Sequence, residues 1–125
     1  MWDGLNKRKF PRIAVDCEIF IQSEPESLPI TARTENLGVG GVCVILGEPL
    51  ERFSSCRVKL QVDEKMPAIE CVGKIVWIVP IQDSKAKKQK FDVGIEFLNL
   101  EMGAFESIRH FVLSEVQKDA SKIVR

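Results

Sequence analysis

The chain has no surplus of charge: eighteen lysines and arginines balance eighteen aspartates and glutamates over 125 residues. A protein that grips nucleic acid by neutralising many phosphates carries a basic excess, so this balance argues against a general nucleic-acid binder. Long apolar runs are missing too. None reaches the roughly 20 residues of a membrane-spanning helix, and the opening Met1-Trp2-Asp3-Gly4 lacks the apolar segment of a signal peptide. The expected location is the cytoplasm. The four cysteines, Cys17, Cys43, Cys56 and Cys71, are spaced too widely for a zinc knuckle or a redox Cys-x-x-Cys, so no metal site is expected. Catalytic groups are equally scarce. The single histidine, His110, lies among apolar positions of a helical pattern, and no nucleophile, base and orienting group form a recognisable set. Neither enzymatic activity nor a cofactor is expected. Internal repeats are absent, and the length allows one domain with a real core and no second.

Present instead is a succession of short alternating runs. In residues 14–22, Val15, Cys17, Ile19 and Ile21 face one way and Asp16, Glu18, Phe20 and Gln22 the other, the pattern of a half-buried strand. Ile30 to Glu35 reads as a second strand and Val42 to Leu46 as a third, on either side of a glycine-rich turn. Cys56, Val58, Leu60 and Val62 alternate with Arg57, Lys59, Gln61 and Asp63 in the clearest period-two pattern of the chain. A long run from Ile69 to Val79 places Ile69, Cys71, Ile75, Trp77 and Val79 on one face, with a bend or bulge marked by Gly73. Residues 82–90 read as a lysine-rich hairpin tip, and Phe91, Val93, Ile95 and Phe97 as a sixth strand. From Glu101 the period lengthens: Ala104, Phe105, Ile108, Phe111, Val112 and Val116 recur at helical spacing, with Asn99 placed to cap the start. Six strands and one terminal helix predict a mainly β fold, a six-stranded antiparallel barrel that removes its edges by closing, with a single C-terminal α-helix. The expected parts are a flexible N-terminal ligand-binding segment over 1–12, the barrel over 13–98 and the helix over 100–118.

Two short stretches carry the functional signal. The first twelve residues hold four basic groups and one acid, so a local positive charge sits on a chain whose remainder is acidic. Within it, Pro11 disfavours helix at Phe10, which sets Arg8 and Arg12 on an extended or turning segment rather than one above the other on a helix. Their Cα atoms then lie roughly 13 Å apart, a span suited to clamping a compact anion. The same residues also read as a solvated basic lead-in to the first strand. The second stretch, Asn36-Leu37-Gly38-Val39-Gly40-Gly41, reads on its own as a tight connection needing positive φ. It is no phosphate loop, because the Gly-Lys-Ser/Thr ending is missing.

Taken together, Arg8-x-x-x-Arg12 and Asn36-x-Gly38-x-x-Gly41 resemble the paired signatures of the PilZ domain, Arg-x-x-x-Arg and Asp/Asn-x-Ser-x-x-Gly. Gly73-Lys74-Ile75-Val76-Trp77 and Val93-Gly94-Ile95-Glu96-Phe97 are similar to later strands of that family, so the resemblance covers about residues 7–116. It implies a PilZ-type barrel and a noncatalytic receptor for the bacterial second messenger cyclic di-GMP that relays binding to a partner protein. By the same resemblance Arg8 and Arg12 hold phosphates and guanine edges, Asn36 bonds a guanine and Gly41 allows close backbone approach. Lys7, just before the first arginine, is compatible with a stacked pair of ligands. The departure is Gly38, which stands where the family has serine. That substitution supports the alternative of a degenerate module that binds no nucleotide and acts through protein contacts, as in pilus or flagellar machinery.

Overall fold

The computed structural model describes residues 11–82 and 88–124. Seven strands, β1 Ile13–Ala14, β2 Glu18–Gln22, β3 Ile30–Gly38, β4 Gly41–Leu46, β5 Ser55–Gln61, β6 Ile69–Ile81 and β7 Lys90–Leu98, are followed by α1, Met102–Lys118, and a 3-10 turn at Ala120–Lys122. All pairings are antiparallel, in the order β1-β3-β2-β5-β6-β7-β4, and β3 also pairs with β4. That last ladder closes the sheet on itself. The result is a mainly β, six-stranded antiparallel barrel with one extra strand and one C-terminal helix.

The extra strand is the first expected strand broken in two. β1 pairs with Leu37 and Asn36 of β3, while β2 pairs with Ile30 to Arg33 on the edge of β3 that β4 leaves free. Thr34 makes the break. Its hydroxyl accepts from the Cys17 amide at 2.8 Å and donates to the Val15 carbonyl at 2.5 Å, and its own amide donates to the Cys17 carbonyl at 2.9 Å. A side chain thus takes ladder positions that backbone groups would otherwise fill, and residues 15–17 leave the strand. Cys17 consequently lies in this break, buried but outside regular structure.

Inward residues alternate as expected along β5, where Cys56, Val58 and Leu60 are buried and Arg57 and Lys59 exposed. The barrel is filled by Ile19, Ile21, Leu37, Val44, Ile75 and Val93, each fully enclosed. One side is capped by α1, whose Ile108 and Val112 are buried in the same core. Asn99 does not cap this helix. It adopts φ 50°, turning the chain out of β7, while Glu101 occupies the cap position without a side-chain bond. Asparagine tolerates the left-handed region better than most residues, so the same short amide serves the turn instead.

Two further expectations are corrected by the sheet. The bulge in β6 falls between Ile75 and Trp77, not at Gly73. Gly73 faces inward, where an added Cβ would lie 2.6 Å from Ile95 Cγ2 and 3.1 Å from Val58 Cγ2, so its role is to let the core interdigitate. Since one extra residue reverses every later side chain, Trp77 and Val79 stand outside the barrel, with Trp77 39% exposed. The glycine-rich stretch is also less of a turn than expected. β3 runs through Gly38 and β4 begins at Gly41, leaving Val39 and Gly40 as the connection, and no described glycine has positive φ. Among the described residues no helix is long and apolar enough to cross a membrane.

Candidate functional site on the outer face of the barrel

Arg12 enters the site directly ahead of β1. Its Nε and Nη2 both donate to Asn36 Oδ1, at 2.9 and 2.5 Å, joining two motifs that lie 24 residues apart. The pairing of Ala14 with Asn36 brings them together, since it sets the chain just before β1 beside the end of β3. Burial lowers the Arg12 pKa from its ordinary value, and the neighbouring Cys43 acts in the opposite direction. From its main chain, the Arg12 carbonyl accepts from the Val124 amide at 2.8 Å, next to a bridge between Ile13 and Ile123. The last described residues of the chain are therefore fastened to the motif arginine. Glu115 of α1, in turn, accepts from Lys122 at 2.8 Å and Lys118 at 3.3 Å, tying the 3-10 turn to the helix.

Gly38 and Gly41 stand at close approaches of different kinds. A Cβ on Gly38 would meet Arg12 Cγ at 3.0 Å, so the bare backbone lets the arginine stem lie across the strand. A Cβ on Gly41 would stand 2.2 Å from the carbonyl oxygen of Ile95 and 3.2 Å from Glu96 Cα. Gly41 therefore serves the β4–β7 closure before it serves any ligand. Arg8 and Lys7 lie outside the described residues, as does part of the expected lysine hairpin tip, residues 83–87.

Sequence reading missed a second group on this face. Asn36 pairs with Cys43, Cys43 with Gly94 and Gly94 with Trp77, forming one row across β3, β4, β7 and β6. At a strand spacing of about 4.8 Å the row spans roughly 14 Å from Asn36 to Trp77. The indole lies flat on Gly94: an added Cβ there would sit 2.4 to 2.5 Å from three ring atoms. At the Nε1 edge of the ring is Asp92, whose Oδ1 accepts from Trp77 Nε1 at 3.4 Å and from the Cys43 thiol at 2.8 Å. Glu35 Oε1 lies 3.9 Å from the same sulfur. Cys43 alone among the cysteines falls out of phase with the apolar side of its strand, and that is the signal in the sequence that could have pointed here.

The donor atoms of Glu35, Cys43 and Asp92 lie within 4.8 Å of one another, the kind of group that can hold a metal ion. Within it the Cys43 thiol donates to Asp92, and the charge of Arg12 acts on the same thiol. Burial, the Asp92 bond and the two carboxylates push the Cys43 thiol up to about 12, with Arg12 the opposing influence. A thiol so held is the reverse of an activated nucleophile. Cys56 and Cys71 are pushed up to about 11, chiefly by burial. Their raised values keep all three protonated until well above the ordinary thiol range. At pH 8 these three cysteines of the folded protein are accordingly expected to react with a thiol reagent about a hundredfold or more slowly than in the urea-unfolded chain, since only the thiolate attacks. Rapid labelling of Cys43 in the native protein would remove this account of its environment.

The site is thus an arginine laid over the outside of a closed barrel, beside a thiol that is held protonated. The PilZ domain model matches residues 6–114, and the chain belongs to the PilZ domain family. None of the curated proteins compared with it matches. Among solved structures, it is similar to the inhibitor of motility MotI of Bacillus subtilis, with a TM-score of 0.73 and 21% identity over 90% of this chain and 52% of that one. The PilZ domain of Escherichia coli YcgR with c-di-GMP gives a TM-score of 0.70 and 14% identity over 94% of this chain and 99% of the other. The K. pneumonia MrkH–c-di-GMP complex gives 0.72 and 12% over 92% and 55%. The chain thus spans about half the length of the MotI and MrkH chains it matches. At these identities the likeness is one of fold.

Proposed function

We propose that this domain is a noncatalytic receptor that binds cyclic di-GMP on the outer face of β3 and β4 and presents the altered surface to a partner protein. The observation that carries the reading is the meeting of Arg12 and Asn36. A guanidinium has five N–H donors in a planar fork, matched to phosphate oxygens or to the O6/N7 edge of guanine. Here two of those donors converge on a single amide oxygen, an arrangement that a ligand offering anionic oxygens displaces at little cost. Membership of the PilZ family and the likeness to two proteins solved with c-di-GMP support the choice of ligand. Arg8 and Lys7 are assigned to the same ligand by the motif alone. Because the Arg12 carbonyl holds the Val124 amide, repositioning Arg12 also acts on the C-terminal end, which offers one route from binding to output.

One observation favours a second reading, that of a module binding only proteins. Gly38 contributes no hydroxyl, and a lost hydrogen bond to a charged oxygen costs about 1.5–3 kcal/mol, about ten- to a hundredfold in affinity. Isothermal titration with cyclic di-GMP, against GMP as control, decides between the two. Saturable binding at micromolar or lower concentration is expected, with the stoichiometry read from the same curve. Absence of heat and of competition at high ligand concentration would transfer the assignment to the protein-binding module.

A further inference from the structure

A carboxylate on the same face as an arginine that captures an anion repels the ligand the arginine attracts, so its presence needs a reason. Asp92 offers one. Its Oδ1 is occupied by the Cys43 thiol and the Trp77 Nε1–H, and Oδ2 has no donor among the described residues. We propose that Asp92 is a specificity-determining residue that reads the N1–H and 2-amino donors of one guanine of the ligand, with Cys43 as the positioning residue that aims it. This rests on the receptor reading above.

Three features argue for it. A carboxylate is acceptor-only, and the Watson–Crick edge of guanine presents two adjacent donors, where adenine presents one donor and an acceptor. Next, the indole of Trp77 has one face on Gly94 and stands 39% exposed, so a base laid on the free face has its edge above Nε1, where Asp92 sits. Last comes the distance. Arg12 and Asn36 hold one end of a row of paired residues and Trp77 the other, about 14 Å along the sheet at ordinary strand spacing, with Asp92 reaching the row between them at Cys43 and the indole edge. A cyclic dinucleotide carries its two bases on opposite sides of a ring of sugars and phosphates, so one end of the ligand can meet the arginine while a base meets Asp92. Glu35, at the Asn36 end of the row, is not needed for this. The thiol's part is to hold the carboxylate in one rotamer by donating to Oδ1 without adding charge.

The assignment and simple electrostatics predict opposite signs, which makes the test decisive. Titrate the wild-type chain, Asp92→Ala, Cys43→Ala and Cys43→Ser with cyclic di-GMP and with its inosine analogue, which lacks only the 2-amino groups. Wild type is expected to prefer cyclic di-GMP by about tenfold, the worth of one charge-assisted bond. In Asp92→Ala that preference disappears: cyclic di-GMP loses two bonds and binds about a hundredfold more weakly, while the inosine analogue, which keeps N1–H, loses one and binds about tenfold more weakly. Cys43→Ser, which keeps a donor, retains the preference, and Cys43→Ala reduces it. Should the alanine variant at 92 be unstable, Asp92→Asn keeps the shape, removes the charge and is expected to give the same ordering. An Asp92 variant that binds both ligands more tightly with the preference intact overturns the assignment and leaves the receptor standing, as does a wild type that binds both ligands equally. A wild type that binds neither overturns the receptor reading, and this with it.

Discussion

Arg12→Ala is expected to weaken cyclic di-GMP binding about a hundredfold and to leave the melting temperature nearly unchanged. The two halves of this expectation come from the same geometry. In the proposed complex the guanidinium would exchange one neutral amide oxygen for anionic partners, and two charge-assisted bonds at about 1.5 kcal/mol each give about 3 kcal/mol, or roughly a hundredfold. In the unliganded protein the same side chain contributes little net stability. Its charge is partly desolvated, as the lowered pKa records, and its partner is a neutral amide that water can serve once the arginine is gone. Removing it therefore costs well under about 1 kcal/mol of folding free energy, within the range of ordinary surface substitutions. Arg12→Lys keeps the charge and loses the fork, so it is expected to fall between alanine and wild type. Titration beside a thermal melt checks both halves, and an alanine variant that binds as tightly as wild type removes Arg12 from the site.

Gly41→Ala is expected to act in the opposite way, on the fold first. The added methyl would stand 2.2 Å from the Ile95 carbonyl oxygen, well inside van der Waals contact, and both near neighbours are backbone atoms of β7. No side chain is there to rotate away. β4 and β7 must separate at the Gly41–Glu96 pair, in the ladder that helps close the barrel. Overpacking of this kind costs on the order of 3 kcal/mol, which lowers the melting temperature by roughly 10 °C in a domain of this size. Gly40→Ala is the control, because a Cβ there meets nothing within 4 Å and should change stability by less than about 0.5 kcal/mol. If Gly41→Ala melts with the control, the close approach is not what the position requires. A loss of ligand binding in Gly41→Ala is to be read only after its melt, since the site depends on the closure.

Much of this was legible in the sequence. Period-two alternation located β5 and β7, helical spacing located Ile108 and Val112 at the core face of α1, and the glycine-rich stretch located the β3–β4 connection, although β3 runs on through Gly38. These are local signals: each depends on which way neighbouring side chains point along one backbone, and burial on one face is enough to impose them. Arg12 and Asn36 were joined in the reading only by resemblance to a family, because nothing in the stretch between them says that they touch, 24 positions apart.

What the tertiary structure alone decided has a single physical origin, in that register between strands is a property of pairs. A bulge between Ile75 and Trp77 put the tryptophan outside where alternation had it inside. A threonine from β3 broke the first strand. Cross-strand pairing brought Cys43, Gly94 and Trp77, far apart in the chain, into one row with Asn36, which the Asp92 side chain reaches from two residues before Gly94. The chain by itself determined which residues are strand and helix and that two arginine and glycine motifs exist. Closure of the barrel determined what faces those motifs, because only a closed sheet sets β3, β4, β7 and β6 side by side.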